Sequence, residues 1–401
     1  MDKVQSISNR QILHMDLDSF FVSVERLYDN RLYGKPILIG GSSDRGVVAS
    51  CSYEARRFGV HAAMPMRTAR QLCPEAILVR GDFEKYSQKS QEVTAIIQED
   101  VPLFEKSSID EFYIDYTGMD RYFGCYKMAQ ELRKRILKES GLPISMGLSQ
   151  NKTVSKVATG EAKPNNEKQI PTGDERPFLA PLSVRKIPMI GEKTSHTLYN
   201  MGVKKVQTLQ KMPAELLEAT FGKNGRIIWE KANGIDNSLV TPYTEAKSIS
   251  SENTFEQDTI DVKMLEAHLI AMTEQLASKL RKNQQLTACV SVKIRYSDFD
   301  THTVQQRITY TSTDHTLISV VKALFKKLYN RRMLIRLIGV RFSSLVHGNY
   351  QINLFDDSEE QIRLYQTLDK LNTKYGDKTV CRAIAMQVGR RRFNPFSGVE
   401  I

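Results

Sequence analysis

The stretch SSIDEFYIDYTG, Ser107 to Gly118, sets two carboxylates side by side, Asp110 and Glu111, in an otherwise apolar run. Phe112, Tyr113, Ile114 and Tyr116 are aromatic or β-branched, so the segment reads as a strand that stops at a glycine. Burying a charge is costly unless it is paired or bound to a metal. A third acid, Asp16, lies between Met15 and Leu17 in HMDLDSFF, at the end of another buried-looking strand. Two strands that bring carboxylates to one point suit a hard divalent cation, since Mg2+ takes oxygen ligands and often combines one or two carboxylates with substrate phosphates. Strict alternation sends Asp110 and Glu111 to opposite faces, so a shared site demands a turn or bulge there. The plainer alternative is an acidic pair capping a solvent-exposed hairpin tip.

The elements around these acids are legible in outline. ILHMDLDSFFVSVE opens as a strand and turns helical after Asp18, KPILIGG and GVVASCS read as short strands, and YEARRFG and MPMRTARQLCP as short helices. Helices are predicted at about 84–100 and 122–139, with a strand in PISMGLS. The alternation argues for an α/β or α+β module to roughly residue 175. Residues 176–240 are helical, and the turn at Met189–Gly191 followed by a helix resembles a helix-hairpin-helix, whose amides can hold a DNA phosphate. Residues 248–346 read strand–helix–strand–strand–helix–strand, the split βαβ arrangement. Apolar Leu265, Leu269, Met272, Leu276 and Leu280 recur there at spacings of three or four.

Charge divides the chain the same way. Of a net +11 over 401 residues, residues 1–180 carry only +1 while residues 281–350 carry +9. A near-neutral front followed by a basic segment suggests a chemistry module ahead of one that grips a polyanion. Lys293, Arg295, Arg307, Arg336 and Arg341 are the candidate nucleic-acid contacts on the later sheet, and a merely solvated basic surface is the alternative. No apolar run approaches a membrane span. The five cysteines form no close pair, which fits a reduced, cytoplasmic, monomeric protein.

MDLDSFFVSVE, VVASCSYEARRFGV, SSIDEFYID, SMGLSQNKTVSKVAT, AKPN and IGVRFS occur in the order seen in Y-family DNA polymerases, the translesion enzymes, and the similarity spans roughly residues 10–350. The resemblance implies an α+β right-hand polymerase with a ferredoxin-like palm (1–27 and 84–175), small fingers (28–83), a helical thumb (176–240), a linker (241–247) and a βαββαβ little finger (248–346). It implies low-fidelity synthesis across damaged template on primer–template DNA, from deoxynucleoside triphosphates, with two Mg2+ ions or substituting Mn2+. Asp16, Asp110 and Glu111 match the family's metal acids, and the Leu17 backbone carbonyl matches a further ligand. Phe21 falls where the family places its steric gate against ribonucleotides. Ser50, Tyr53, Arg56 and Lys163 match residues that hold the incoming nucleotide, while Asp18 is expected to be structural.

In the tail, 347–401, Gln351, Leu354 and Phe355 of QINLFDD resemble the peptide by which bacterial polymerases dock on the sliding clamp; an edge strand is the alternative. A non-catalytic accessory protein with the polymerase fold is the competing function, and the presence of all three acids argues against it. A nucleotide cyclase would not need the thumb or the basic unit.

Overall fold

The computed structural model describes residues 10–386 apart from 44, 120–123, 243–244, 349–357 and 377–378. They form two compact units that meet in sequence at 244/245. The expected clamp-like peptide at Gln351, Leu354 and Phe355 lies outside the described residues.

The first unit is built on a five-stranded sheet in the order β5 (Phe104–Lys106), β6 (Glu111–Asp115), β1 (Ile12–Leu17), β7 (Ile144–Ser149) and β8 (Glu167–Gln169). β1 is antiparallel to both neighbours, with Asp16 opposite Glu111 on one side and Ser145 on the other. Leu13, Met15, Phe112 and Ile114 are buried, which is what the apolar runs require. The helix Lys152–Ala162 packs on β1 and β7, started by the Asn151 side chain, which accepts from the Val154 amide at 3.0 Å. Its close approach depends on Gly147, where a Cβ would lie 2.3 Å from the Ser155 carbonyl oxygen and 2.6 Å from the Thr159 nitrogen. A smaller sheet, β3 (Val48–Cys51), β2 (Ile37–Gly40) and β4 (Ile77–Val79), carries the short helices Tyr53–Arg56 and Met66–Leu72. Between Glu175 and Ala232 only helices occur, and their core joins Val154, Val157 and Ala158 of the Lys152–Ala162 helix.

The second unit has one antiparallel sheet, β11 (Thr301–Thr311), β10 (Gln285–Tyr296), β12 (Ile335–His347) and β9 (Ser248–Thr259). Val290, Val292, Ile294, Ile338, Val340 and Phe342 share a core with the helices Val262–Lys282 and Asp314–Leu328, as the leucine spacing predicts. Two further helices, Ser358–Tyr375 and Ala383–Met386, follow the sheet.

One expectation is corrected. The acidic stretch is not a strand from Ser107: β6 begins at Glu111, and Asp110 stands in the bend before it. Ser107 and Ser108 fold that bend back on the strand, both amides donating to the Glu111 carbonyl at 3.0 and 3.4 Å. The turn demanded by alternation is therefore present.

Candidate active site

β1 ends where the acidic bend begins, and one backbone bond joins them: the Leu17 amide donates to the Asp110 carbonyl at 3.0 Å. Leu17 itself is buried in the core. Together with the Asp16–Glu111 register, this gathers Asp16, Asp110 and Glu111 at one end of the sheet. Each acid has its own partner. The Lys163 ammonium donates to Asp16, Lys156 donates to both Glu111 oxygens at 2.7 and 2.6 Å, and the Ser108 hydroxyl donates to Asp110 at 2.7 Å. Lys152, on the same stripe, donates to Glu105 of β5 at 2.6 and 2.7 Å. Lys152, Lys156 and Lys163 are spaced by four and seven, so the helix presents one cationic edge and its C-cap to β5, β6 and β1 in turn.

Burial dominates the electrostatics of the acids. Burial pushes the Asp16 carboxyl up to about 7; Lys163 opposes the shift and Asp110 adds to it. Burial also raises Asp110, against the Ser108 hydrogen bond. At Glu111 burial is outweighed by the Lys156 ammonium, which pairs with both oxygens and holds the carboxyl below its ordinary value. Among the described residues no three such side chains already stand as a coordination shell, because each leans to its own donor. The donor set itself is all carboxylate oxygen, the chemistry a hard divalent ion takes.

The remaining expected residues fall around this point. Asp18 is buried and saturated: it accepts from the Tyr53 hydroxyl at 3.0 Å, the Ser145 hydroxyl at 2.7 Å and the Asn165 amide at 2.7 Å. Tyr53 is thereby tied to β1, and the Arg56 guanidinium lies over its ring at 4.6 Å, as the three-residue spacing predicts. Ser50 is half-buried on β3 opposite Ile39. Phe20 is core, whereas Phe21 is half-buried and stacks on the buried Tyr86 ring at 4.3 Å and 13°. The Tyr86 hydroxyl donates to Glu25 at 2.6 Å, so the ring beneath Phe21 is fixed.

Three residues escaped the sequence reading. Lys156 could have been found from its place on the Lys152–Lys163 stripe. Ser145 and Tyr86 carry no local signal, since one is a strand serine and the other an aromatic at a helical core position. In the second unit, Lys293, Arg295, Arg307 and Arg341 alternate with core residues and so share the face opposite the two helices, where Lys293 pairs with Glu252. Arg336 is not brought to that face. It stands at a bulge of β12, 4.0 Å from Asp258, with its guanidinium over the Phe299 ring.

Models of known families match most of this framework. The impB/mucB/samB family matches residues 15–160 and its C-terminal domain residues 246–354, while the DNA polymerase-iota thumb domain matches residues 185–236. A protein named DNA polymerase IV from Dehalococcoides mccartyi is 37% identical over 381 residues, covering 93% of this chain and 97% of its own. The chain belongs to the Y family of DNA polymerases. The DNA polymerase IV of Exiguobacterium sibiricum is also 37% identical, over 84% of this chain and 94% of that one. A solved Y-family DNA polymerase chimera superimposes with a TM-score of 0.74 at 24% identity, covering 84% of this chain and all of that one. The fold is thus the right-hand polymerase of α+β class, with palm, fingers, thumb and little finger. Membership brings dependence on a divalent metal, on primer–template DNA and on deoxynucleoside triphosphates. Among the described residues no helix is long and apolar enough to cross a membrane.

Proposed function

We infer that this chain performs template-directed, low-fidelity DNA synthesis across damaged template, with Asp16, Asp110, Glu111 and the Leu17 carbonyl holding two Mg2+ ions, or Mn2+ in their place. The observation that carries the reading is geometric: the register of β1 and β6 and the Leu17–Asp110 backbone bond bring Asp16, Asp110 and Glu111 to one end of the sheet, with Lys163 and Lys156 beside them. Divalent ions bound there would ease loss of the primer 3′-hydroxyl proton and neutralise the triphosphate. Lys163 then leaves Asp16 for a phosphate oxygen as a point charge, and Arg56 forks to two such oxygens. Ser50 adds a hydroxyl contact. Tyr53, held by Asp18, shapes the nucleotide pocket, and Phe21 on Tyr86 fills the space a 2′-hydroxyl would need.

The palm takes residues 1–27 and 84–175, the fingers 28–83, the thumb 176–240 and the little finger 248–346. Lys293, Arg295, Arg307 and Arg341 meet the DNA backbone, and Gln351, Leu354 and Phe355 dock the monomer on a sliding clamp in the cytoplasm. Primer extension on undamaged and abasic templates tests the assignment against Asp110→Ala/Glu111→Ala. Extension by the intact chain and none by the variant is expected. Absence of extension by both, with primer–template binding retained, would favour the non-catalytic accessory reading.

A further inference from the structure

The second unit displays an aromatic ring that its core does not use. Phe299 lies in the turn between β10 and β11 and is 61% exposed. Its φ is +70°, a region that bulky side chains seldom enter and that marks functional sites when the surroundings enforce it. Here they do. The Phe299 amide donates to the Tyr296 carbonyl and the Tyr296 amide to the Asp300 carbonyl, both at 3.0 Å. The Asp300 amide closes on the Asp298 carboxylate at 2.9 Å, and Arg331 holds Asp300 at 2.8 Å. The Arg336 guanidinium lies 4.5 Å over the ring, so one side is covered and the exposure belongs to the rest. β10 and β11 run from this turn directly into the face that carries Arg295, Lys293 and Arg307.

We propose that the Phe299 ring backed by Arg336 is a stacking platform for one unpaired nucleobase of single-stranded DNA, next to the duplex gripped by the basic face. Every base offers a π-face, so such a platform tolerates any sequence. A guanidinium on the far side adds planar cationic stacking. A ring serving only to shield Arg336 would not need so much of itself in water. The proposal rests on the DNA polymerase reading and adds to it a contact for unpaired bases.

Equilibrium binding of the full chain to three DNAs with one common duplex tests it: blunt, with a 5′ single-stranded extension, and with a 3′ extension. Phe299→Gly suits the positive φ and removes the ring without strain. It should weaken binding to one extended DNA about tenfold, equivalent to about 1.4 kcal/mol and within the range for one stacked base. Blunt-duplex affinity should stay unchanged, Phe299→Tyr should restore the loss, and the affected extension names the strand bound. Equal weakening on all three DNAs, or none on either extended DNA, overturns the platform. Primer extension by the intact chain is scored separately, so failure of the polymerase reading is distinguishable.

Discussion

Gly147→Ala is the most direct test of how the site is positioned. Gly147 sits on β7 opposite His14, beneath the helix that delivers Lys156 and Lys163. A Cβ there meets the Ser155 carbonyl oxygen at 2.3 Å, the Thr159 nitrogen at 2.6 Å and the Ala158 Cβ at 2.8 Å, against 3.4 Å or more for ordinary contact. Two of these atoms are backbone, so no side-chain rotation relieves the clash and the helix must lift by about 1 Å. Overpacking of this kind costs about 1–3 kcal/mol. For a unit of this size that lowers Tm by roughly 2–12 °C. The catalytic cost is separate. Misplacement by about 1 Å can cost 10²-fold in rate, and the two lysines that move are those opposite Asp16 and Glu111. Differential scanning fluorimetry and single-nucleotide incorporation, assayed well below the variant's Tm, give both quantities. An unchanged Tm with an unchanged kcat/KM would refute the close-approach argument. A lowered Tm with full activity would show that the helix does not position the chemistry.

Asp16 supplies a pH prediction. Its folded pKa, about 7, lies above the unfolded value of 3.8, so the stability it confers is full below about pH 4 and is lost as pH rises through about 7. A divalent cation displaces that proton, and the Tm gain from millimolar Mg2+ should therefore be larger near about pH 8 than near about pH 6. Asp16→Asn should abolish the difference; equal gains at both pH values would contradict the assignment. In the second unit, Arg281 is nearly buried between Asp314, at 2.6 Å, and Asp369, at 2.6 Å. Arg281→Met leaves both acids without it and should cost about 3–5 kcal/mol, read by urea unfolding followed at that unit; a loss below 1 kcal/mol would mean the pairs are solvated.

The acids were conspicuous because type and setting disagreed, carboxylates among apolar residues, but only the ordered family motifs decided for a metal site over an exposed hairpin tip. The long elements were readable, since the leucines of Val262–Lys282 and the runs of β10 and β12 keep one period throughout. The short strands β4, β5 and β8 have three residues each, too few for a period to show. The extent of β6 was misread because the aromatic and β-branched run at residues 112–116 was carried back over residues 107–110, where the Ser108 hydroxyl instead binds Asp110 and accepts from the Glu111 amide. Position across the sheet was hidden altogether. Nothing near Asp18 in sequence announces that Ser145 and Asn165, 127 and 147 residues away, saturate it, and that saturation is what separates it from Asp16.

The C-terminal extension shows the same limit in its strongest form. It follows the matched family domain, which ends at residue 354, and by composition it is a polar helix with a basic end. Its anchor is Arg281, which belongs to the last turn of the Val262–Lys282 helix together with Lys279 and Lys282, where basic residues are expected to face water and complement the helix dipole. Local sequence gives Arg281 no distinction from its neighbours. Only its partners do: Asp314 lies 33 residues on and Asp369 lies 88 residues on, while the Tyr365 ring sits under the guanidinium at 4.9 Å. Tyr365 is itself buried and accepts from the His315 amide at 3.2 Å, and Arg382 reaches Glu274 at 2.5 Å. A buried arginine held by two carboxylates is costly to expose on one side only. The helix Ser358–Tyr375 is therefore bound into the second unit as a further layer on its helical side, not appended to it.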